Sequence, residues 1–64
     1  MMDVYFYTIE NKLIAKKSLS HIPNIDDAIE VDNSQYIVFG KLFIFGNEFT
    51  PDRVNYLVRF MESK

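Results

Sequence analysis

The sequence predicts an α+β fold: a small antiparallel sheet of four or five strands, curled toward a barrel and closed by one C-terminal helix. Three observations predict it. Residues 3–10 and 36–46 are dense in aromatic and β-branched side chains, the composition of strands. Polar turn residues interrupt the apolar runs at short intervals. Residues 51–62 open with helix-start residues and then repeat apolar side chains at helical spacing.

The first strand, residues 3–10, reads Asp-Val-Tyr-Phe-Tyr-Thr-Ile-Glu, and residues 13–19 supply a partner for it. Glu10-Asn11-Lys12 offers the turn, because asparagine tolerates the left-handed backbone that tight hairpins need. Side-chain alternation across a two-residue loop sorts the hairpin into two faces. Val4, Phe6, Leu13, Ala15 and Leu19 form an aliphatic face directed at the core. Tyr5, Tyr7, Ile14, Lys16 and Ser18 form an amphipathic face, partly wet. A three-residue loop would reverse this pairing.

Residues 20–27 form a connector punctuated by Pro23, which disfavours helix at Ile22. Residues 28–31 make a short strand, or residues 26–30 a helical turn capped by Asn24 or Asp26. Asp32-Asn33-Ser34 is a turn by composition. Residues 36–46 carry the strongest strand signal, with Gly40 either in a hairpin loop with Lys41 or at a bulge in one long bent strand. Apolar residues on both faces of this stretch imply cover on both sides.

The C-terminal helix is expected over residues 51–62. Thr50 is a good N-cap, Pro51 suits the first helical position, and Asp52 complements the positive end of the helix dipole. Val54, Leu57, Val58 and Met61 then form one buried stripe, widened by Tyr56 and Phe60, with Arg53, Asn55, Arg59 and Glu62 on the wet side. With Leu57 in that stripe, Leu57→Ala should cost about 2–5 kcal/mol.

The 64 residues make one domain, residues 1–64. A domain of this size buries only about 60% of the surface its unfolded chain exposes, so it is marginal without a staple. The chain has no cysteine, which excludes disulfides and thiolate metal sites, and its one histidine, His21, does not build a zinc site alone. No cofactor is expected. Apolar residues are 48% of the chain and aromatics 16%, too many for a disordered segment. The net charge of −2 lacks the basic surplus of a nucleic-acid domain and the acidic surplus of a phosphate mimic. Met1-Met2-Asp3-Val4 does not read as a signal peptide, and no apolar run approaches a membrane span, so a cytoplasmic protein is expected.

Catalytic chemistry finds no support in the motifs. Gly40 and Gly46 stand apart from any phosphate-loop pattern, and His21 beside Ser20 points to the opposite side of an extended chain. The chain is therefore expected not to be an enzyme. Asp26, Asp27, Glu30 and Asp32 place four acids within seven residues. They lack the alternation and glycine of a calcium loop, so turn-making and solvation explain them, with a docking patch for a basic partner as the functional alternative.

The core elements do not consume Tyr5, Tyr7, Tyr36, Phe43, Phe45, Tyr56 and Phe60. Three such rings together match the largest apolar patch of a typical monomer, about 300–600 Å². These rings, with Lys16, are the candidate partner-binding residues, and the expected partner is a second copy or a larger protein. Tyr5, Tyr7, Lys12 and Lys16 alternatively form a stacking platform for single-stranded nucleic acid. Lysines at a hairpin edge also serve simply to block strand addition.

Ile22-Pro23, then Ile25-Asp26-Asp27, Ile29 and Val31, a polar turn and Tyr36-Ile37-Val38 resemble a pattern in small SH3-like barrel proteins of phages and mobile elements. In those proteins an Ile-Pro connector leads through a Gly-Asp pair into two barrel strands; Asp26 stands here in place of the glycine. The resemblance covers about seventeen residues and carries over no functional residue. It implies a small accessory protein that binds and modulates, as an inhibitor or regulator, a larger host or phage component.

Overall fold

A computed structural model describes residues 1–61. The described chain is all-β. Its strands are β1 (Met2–Thr8), β2 (Leu13–Leu19), β3 (Ala28–Val31), β4 (Ser34–Ile44) and β5 (Arg53–Phe60). They form one sheet in the order β2-β1-β5-β4-β3, curled into an open half-barrel.

The expected C-terminal helix is overturned: residues 53–60 are β5. The helix-start residues serve a loop instead. The Gly46 N–H donates to Asp52 Oδ1 at 2.7 Å, and the Thr50 N–H donates to Asn47 Oδ1 at 3.1 Å. Thr50 precedes a proline, which favours extended backbone. The apolar spacing that fits a helix coexists with strict alternation of Val54, Tyr56, Val58 and Phe60, all β-branched or aromatic, and packing selects the strand. Glu62, expected on the wet side of the helix, lies outside the described residues. No helix among the described residues is long and apolar enough to cross a membrane.

The sheet is also not wholly antiparallel. β5 lies between β4 and β1, antiparallel to the first and parallel to the second, with Val4 beside Val54 and Phe6 beside Tyr56. The curl survives this correction; the antiparallel pattern holds for the β1–β2, β3–β4 and β4–β5 pairs.

The hairpin turn is a three-residue loop. The Thr8 N–H donates to the Lys12 carbonyl at 2.9 Å, the Asn11 N–H donates to the Thr8 carbonyl at 2.8 Å, and Asn11 is left-handed with φ 65°. This loop reverses the pairing parity and sets Leu13 opposite Tyr7. The register then slips between Phe6 and Tyr7, leaving Ile14 as the extra residue and restoring parity, with Ala15 opposite Phe6 and Lys16 opposite Tyr5. The expected sorting of faces therefore holds from Ala15 onward and fails at two positions. Leu13 is exposed, and Ile14 packs against the core.

Residues 28–31 form the short strand rather than a helical turn. The connector joins the sheet through reciprocal bonds at Val38, whose carbonyl accepts from Asp26 N–H at 2.8 Å and whose N–H donates to the Asp27 carbonyl at 2.9 Å. Asp26 is left-handed, φ 76°, a conformation that aspartate tolerates better than most residues. Asp32 and Asn33 are both left-handed, φ 51° and 69°, and make a two-residue turn between Val31 and Ser34. β4 is one bent strand of 11 residues, its register slipping between Val38 and Gly40 with Phe39 as the bulge residue.

The core is a single layer on one face: Val4, Phe6, Val38, Val54, Tyr56 and Val58. The Phe6 and Tyr56 rings stack with centroids 5.1 Å apart and planes 13° from parallel. Ile22 packs onto this cluster from the connector. Leu13, Leu57 and Met61, expected at the core, lie outside it: Leu13 and Leu57 are exposed, as are Phe39 and Leu42 of β4, and Met61 is half-buried. The loss expected for Leu57→Ala is corrected accordingly, because Leu57 retains 42% of its exposure.

Candidate functional site

The face opposite the core is built by the odd-numbered residues of β1 and β5 and their cross-strand partners. One row runs Lys16, Tyr5, Asn55, Leu42; the next runs Leu13, Tyr7, Leu57, Gly40; a third runs Ser18, Asp3, Arg53, Ile44. All five strands belong to the one sheet, so no second layer covers this face among the described residues.

Tyr5 lies at its centre. The Arg53 guanidinium stands 4.7 Å and the Lys16 ammonium 5.3 Å from the Tyr5 ring centroid. Each such contact is worth about 0.5–1 kcal/mol at an exposed site and holds both cations over the sheet. Asp3 Oδ1 accepts a 2.8 Å hydrogen bond from the Ser18 hydroxyl. Beside these rows, Tyr7, Asn11, Leu42, Asn55 and Leu57 line an open groove of about 440 Å³. Asn55 Oδ1 is buried there with no donor among the described residues. A buried acceptor left unpaired costs about 1–3 kcal/mol, and this one lies just beneath the lining of the groove, which also includes Lys41.

The sequence-derived candidates separate into groups. Tyr5, Tyr7 and Lys16 share the bare face. Tyr56 is withdrawn from the candidate set: it is fully buried in the core. Tyr36 and Phe60 meet edge to face, 5.8 Å apart at 73°, near the end of β5. Phe43 lies opposite Val54, with the Lys41 ammonium 5.3 Å from its ring. Phe45 starts the β4–β5 loop with Phe49 beyond it, and both stand more than four-fifths exposed, at 82% and 84%. Asn47 Oδ1 holds that loop by accepting from the Phe49 and Thr50 N–H groups at 2.8 and 3.1 Å.

Lys12 pairs with Thr8 at the hairpin end rather than joining Tyr5 and Lys16. The acids lie along the connector and the β3 side of the sheet, all exposed. Asp27 Oδ2 accepts from the Asn24 N–H at 2.7 Å, Asp26 and Asp32 hold left-handed turn positions, and Glu30 pairs with Gln35. Leu13, Leu42, Arg53, Asn55 and Leu57 belong to the bare face and were not among the candidates. Their signal is the second alternation in β5, Arg53-Asn55-Leu57-Arg59, which a helical reading of that segment hides. No family model matches this chain, and no curated protein or solved structure matches it at a significant level.

Proposed function

We propose that the chain is a non-catalytic protein-binding module that meets a larger protein with the bare sheet face, as a small inhibitor or regulator of a host enzyme does. The observation that carries this is the excess of exposed apolar side chains: among the described residues six hydrophobic residues form the buried core, whereas eleven large hydrophobic residues are exposed across the chain. Leu13, Leu42 and Leu57 stand among the exposed set on one face, around Tyr5, Tyr7 and the unpaired Asn55 oxygen. Contiguous apolar surface of this kind, rimmed by cations, marks an interaction site. Tyrosine and arginine are the side chains that most often anchor such interfaces. The resemblance to small phage-type accessory barrels points the same way.

Affinity capture from the native cell tests this reading, with the Tyr5→Ala/Tyr7→Ala protein as the control bait. A partner held by the wild-type chain and lost by the folded double variant supports it. Identical captures by the two baits overturn it.

One observation favours a second reading, a single-strand nucleic-acid platform. Arg53 joins Lys16 at the Tyr5 ring, so a cation pair flanks an aromatic on an open sheet. Titration with single strands at low salt, where phosphate contacts are strongest, decides it; absence of binding there ends this reading.

A further inference from the structure

We infer that the uncovered edge of β4 over residues 39–44 pairs antiparallel with the same edge of a second copy, joining two half-barrels into one continuous sheet. The inference rests on the view of the chain as a binding module but uses the outer backbone edge of β4 rather than the bare face, with Leu42 and Ile44 at the border of the two.

The geometry begins with a mismatch of strand lengths. β4 has 11 residues and β3, its outer neighbour, has four. β3 covers β4 from Ser34 to Ile37, and the connector covers Val38 through Asp26 and Asp27. From Phe39 onward the outer edge of β4 has no backbone partner among the described residues, while its inner edge is bonded to β5 as far as Ile44. The result is a ledge of unpaired backbone groups beside the end of β3. Such groups specify their occupant: an extended chain that supplies alternating N–H and carbonyl groups.

The ledge reads Phe39-Gly40-Lys41-Leu42-Phe43-Ile44 and continues into Phe45. It carries no proline and a single charge, and its residues favour strands. The opposite edge of the sheet, β2, carries Lys16 and Lys17, the usual device against strand addition. One edge is thus guarded and the other is not.

A second copy fits the unguarded edge for three reasons. An antiparallel twofold brings residues 39–45 against themselves with Leu42 opposite Leu42 of the second copy, so the apolar stretch of each chain meets that of the other. Lys41 is the ledge's only charge, and within one chain its ammonium stands 5.3 Å from the Phe43 ring; with Leu42 at the centre, the Lys41 of each copy lies opposite Phe43 of the other, so each cation keeps an aromatic neighbour across the seam. The partner strand also occupies the row that β3 begins, so the two sheets join without displacing any strand. Phe39, Leu42, Phe43 and Phe45 are all exposed in the single copy. Covering them in both chains buries on the order of 1,000 Å², the lower end of the range for specific association. The dimer is therefore concentration-dependent.

Sedimentation velocity from low to high micromolar protein reads the mass, and amide hydrogen exchange reads the edge. The expected result is a monomer–dimer equilibrium in which outward amides within residues 39–45 gain protection as concentration rises. Phe43→Lys, which leaves the bare face untouched, should weaken it by more than about tenfold, as should Leu42→Lys, and Lys17→Leu on the other edge should not weaken it. Should the lysine variants fail to fold, Leu42→Cys and Phe43→Cys keep the test open in this cysteine-free chain: oxidation should link one or both into covalent dimers and leave Lys17→Cys unlinked. A chain that stays monomeric throughout, or dimers indifferent to both lysine substitutions, overturns the inference. Either result leaves the bare-face proposal standing, since loss of capture by the tyrosine variant does not depend on dimer formation.

Discussion

The Tyr56 hydroxyl donates a 2.6 Å hydrogen bond to the Pro23 carbonyl, and this contact fastens the connector over the core face of the half-barrel. The two residues are 33 positions apart. Tyr56 is fully buried, stacked on Phe6, so its hydroxyl reaches a carbonyl rather than water. Tyr56→Phe preserves the ring and the stacking but orphans the Pro23 acceptor. The expected cost is about 1–3 kcal/mol, read as a lower urea midpoint with an unchanged slope.

The same hydroxyl gives stability a dependence on alkaline pH. Burial raises its pKa above the ordinary 10.0, and the negative charge of Asp27 adds to the rise. Above 10.0 the unfolded chain releases this proton while the folded chain retains it, so the unfolded state binds fewer protons and stability falls as pH rises. Below that value both states hold the proton, and the contribution is fully present. Urea midpoints at neutral pH and above 10.0 should therefore diverge more for the wild-type chain than for Tyr56→Phe. Equal slopes against pH would show that Tyr56 does not couple to folding in this way.

The two glycines should respond differently to alanine. A Cβ on Gly46 would stand 2.0 Å from the Thr50 carbonyl oxygen and 2.6 Å from that of Pro51. Backbone atoms cannot swing aside, so Gly46→Ala must open the β4–β5 loop and break the bond to Asp52. We expect a loss of about 1–3 kcal/mol. A Cβ on Gly40 would meet Leu57 Cβ at 3.0 Å and Cδ1 at 3.2 Å; the exposed Cδ1 can swing away, while the Cβ must give by a few tenths of an ångström through a small backbone shift. Gly40→Ala should cost about 1 kcal/mol, and pairing it with Leu57→Ala should relieve only the part due to Leu57 Cδ1 and Cγ, because alanine keeps the Cβ. Thermal unfolding of the three variants checks the order.

Elements whose local chemistry and packing agree were legible in the chain. The turn at Asp32 and Asn33 and the long apolar β4 announce themselves by composition, which leaves open only whether Gly40 sits in a hairpin or a bulge and whether residues 28–31 are a strand or follow a helical turn. The C-terminal segment was not legible for a physical reason. Val54, Leu57, Val58 and Met61 satisfy a helical stripe, while Val54, Tyr56, Val58 and Phe60 satisfy a strand. The choice between them is made by β1 and β4, whose edges β5 joins, and no local rule records that. The parity at Leu13 was hidden likewise, because a three-residue loop and a bulge at Ile14 cancel each other along the rest of β2. At the site, Tyr5, Tyr7 and Lys16 were found from alternation in the hairpin. Arg53, Asn55 and Leu57 were missed because their face exists only once β5 is a strand.

Leu57 and Phe6 separate folding from binding. Phe6 is buried against Tyr56, whereas Leu57 points to the bare face opposite Tyr7. Phe6→Ala should cost about 3–5 kcal/mol, enough to unfold much of a domain this small. Leu57→Ala should cost less than about 1 kcal/mol and lower the melting temperature by no more than about 4–8 °C. Its larger effect should fall on partner capture, since it removes apolar contact beside Tyr7 and the Asn55 oxygen. A Leu57→Ala chain that melts like the wild type and captures the same partner undiminished would remove Leu57 from the interface. One that unfolds as readily as Phe6→Ala would instead return it to the core.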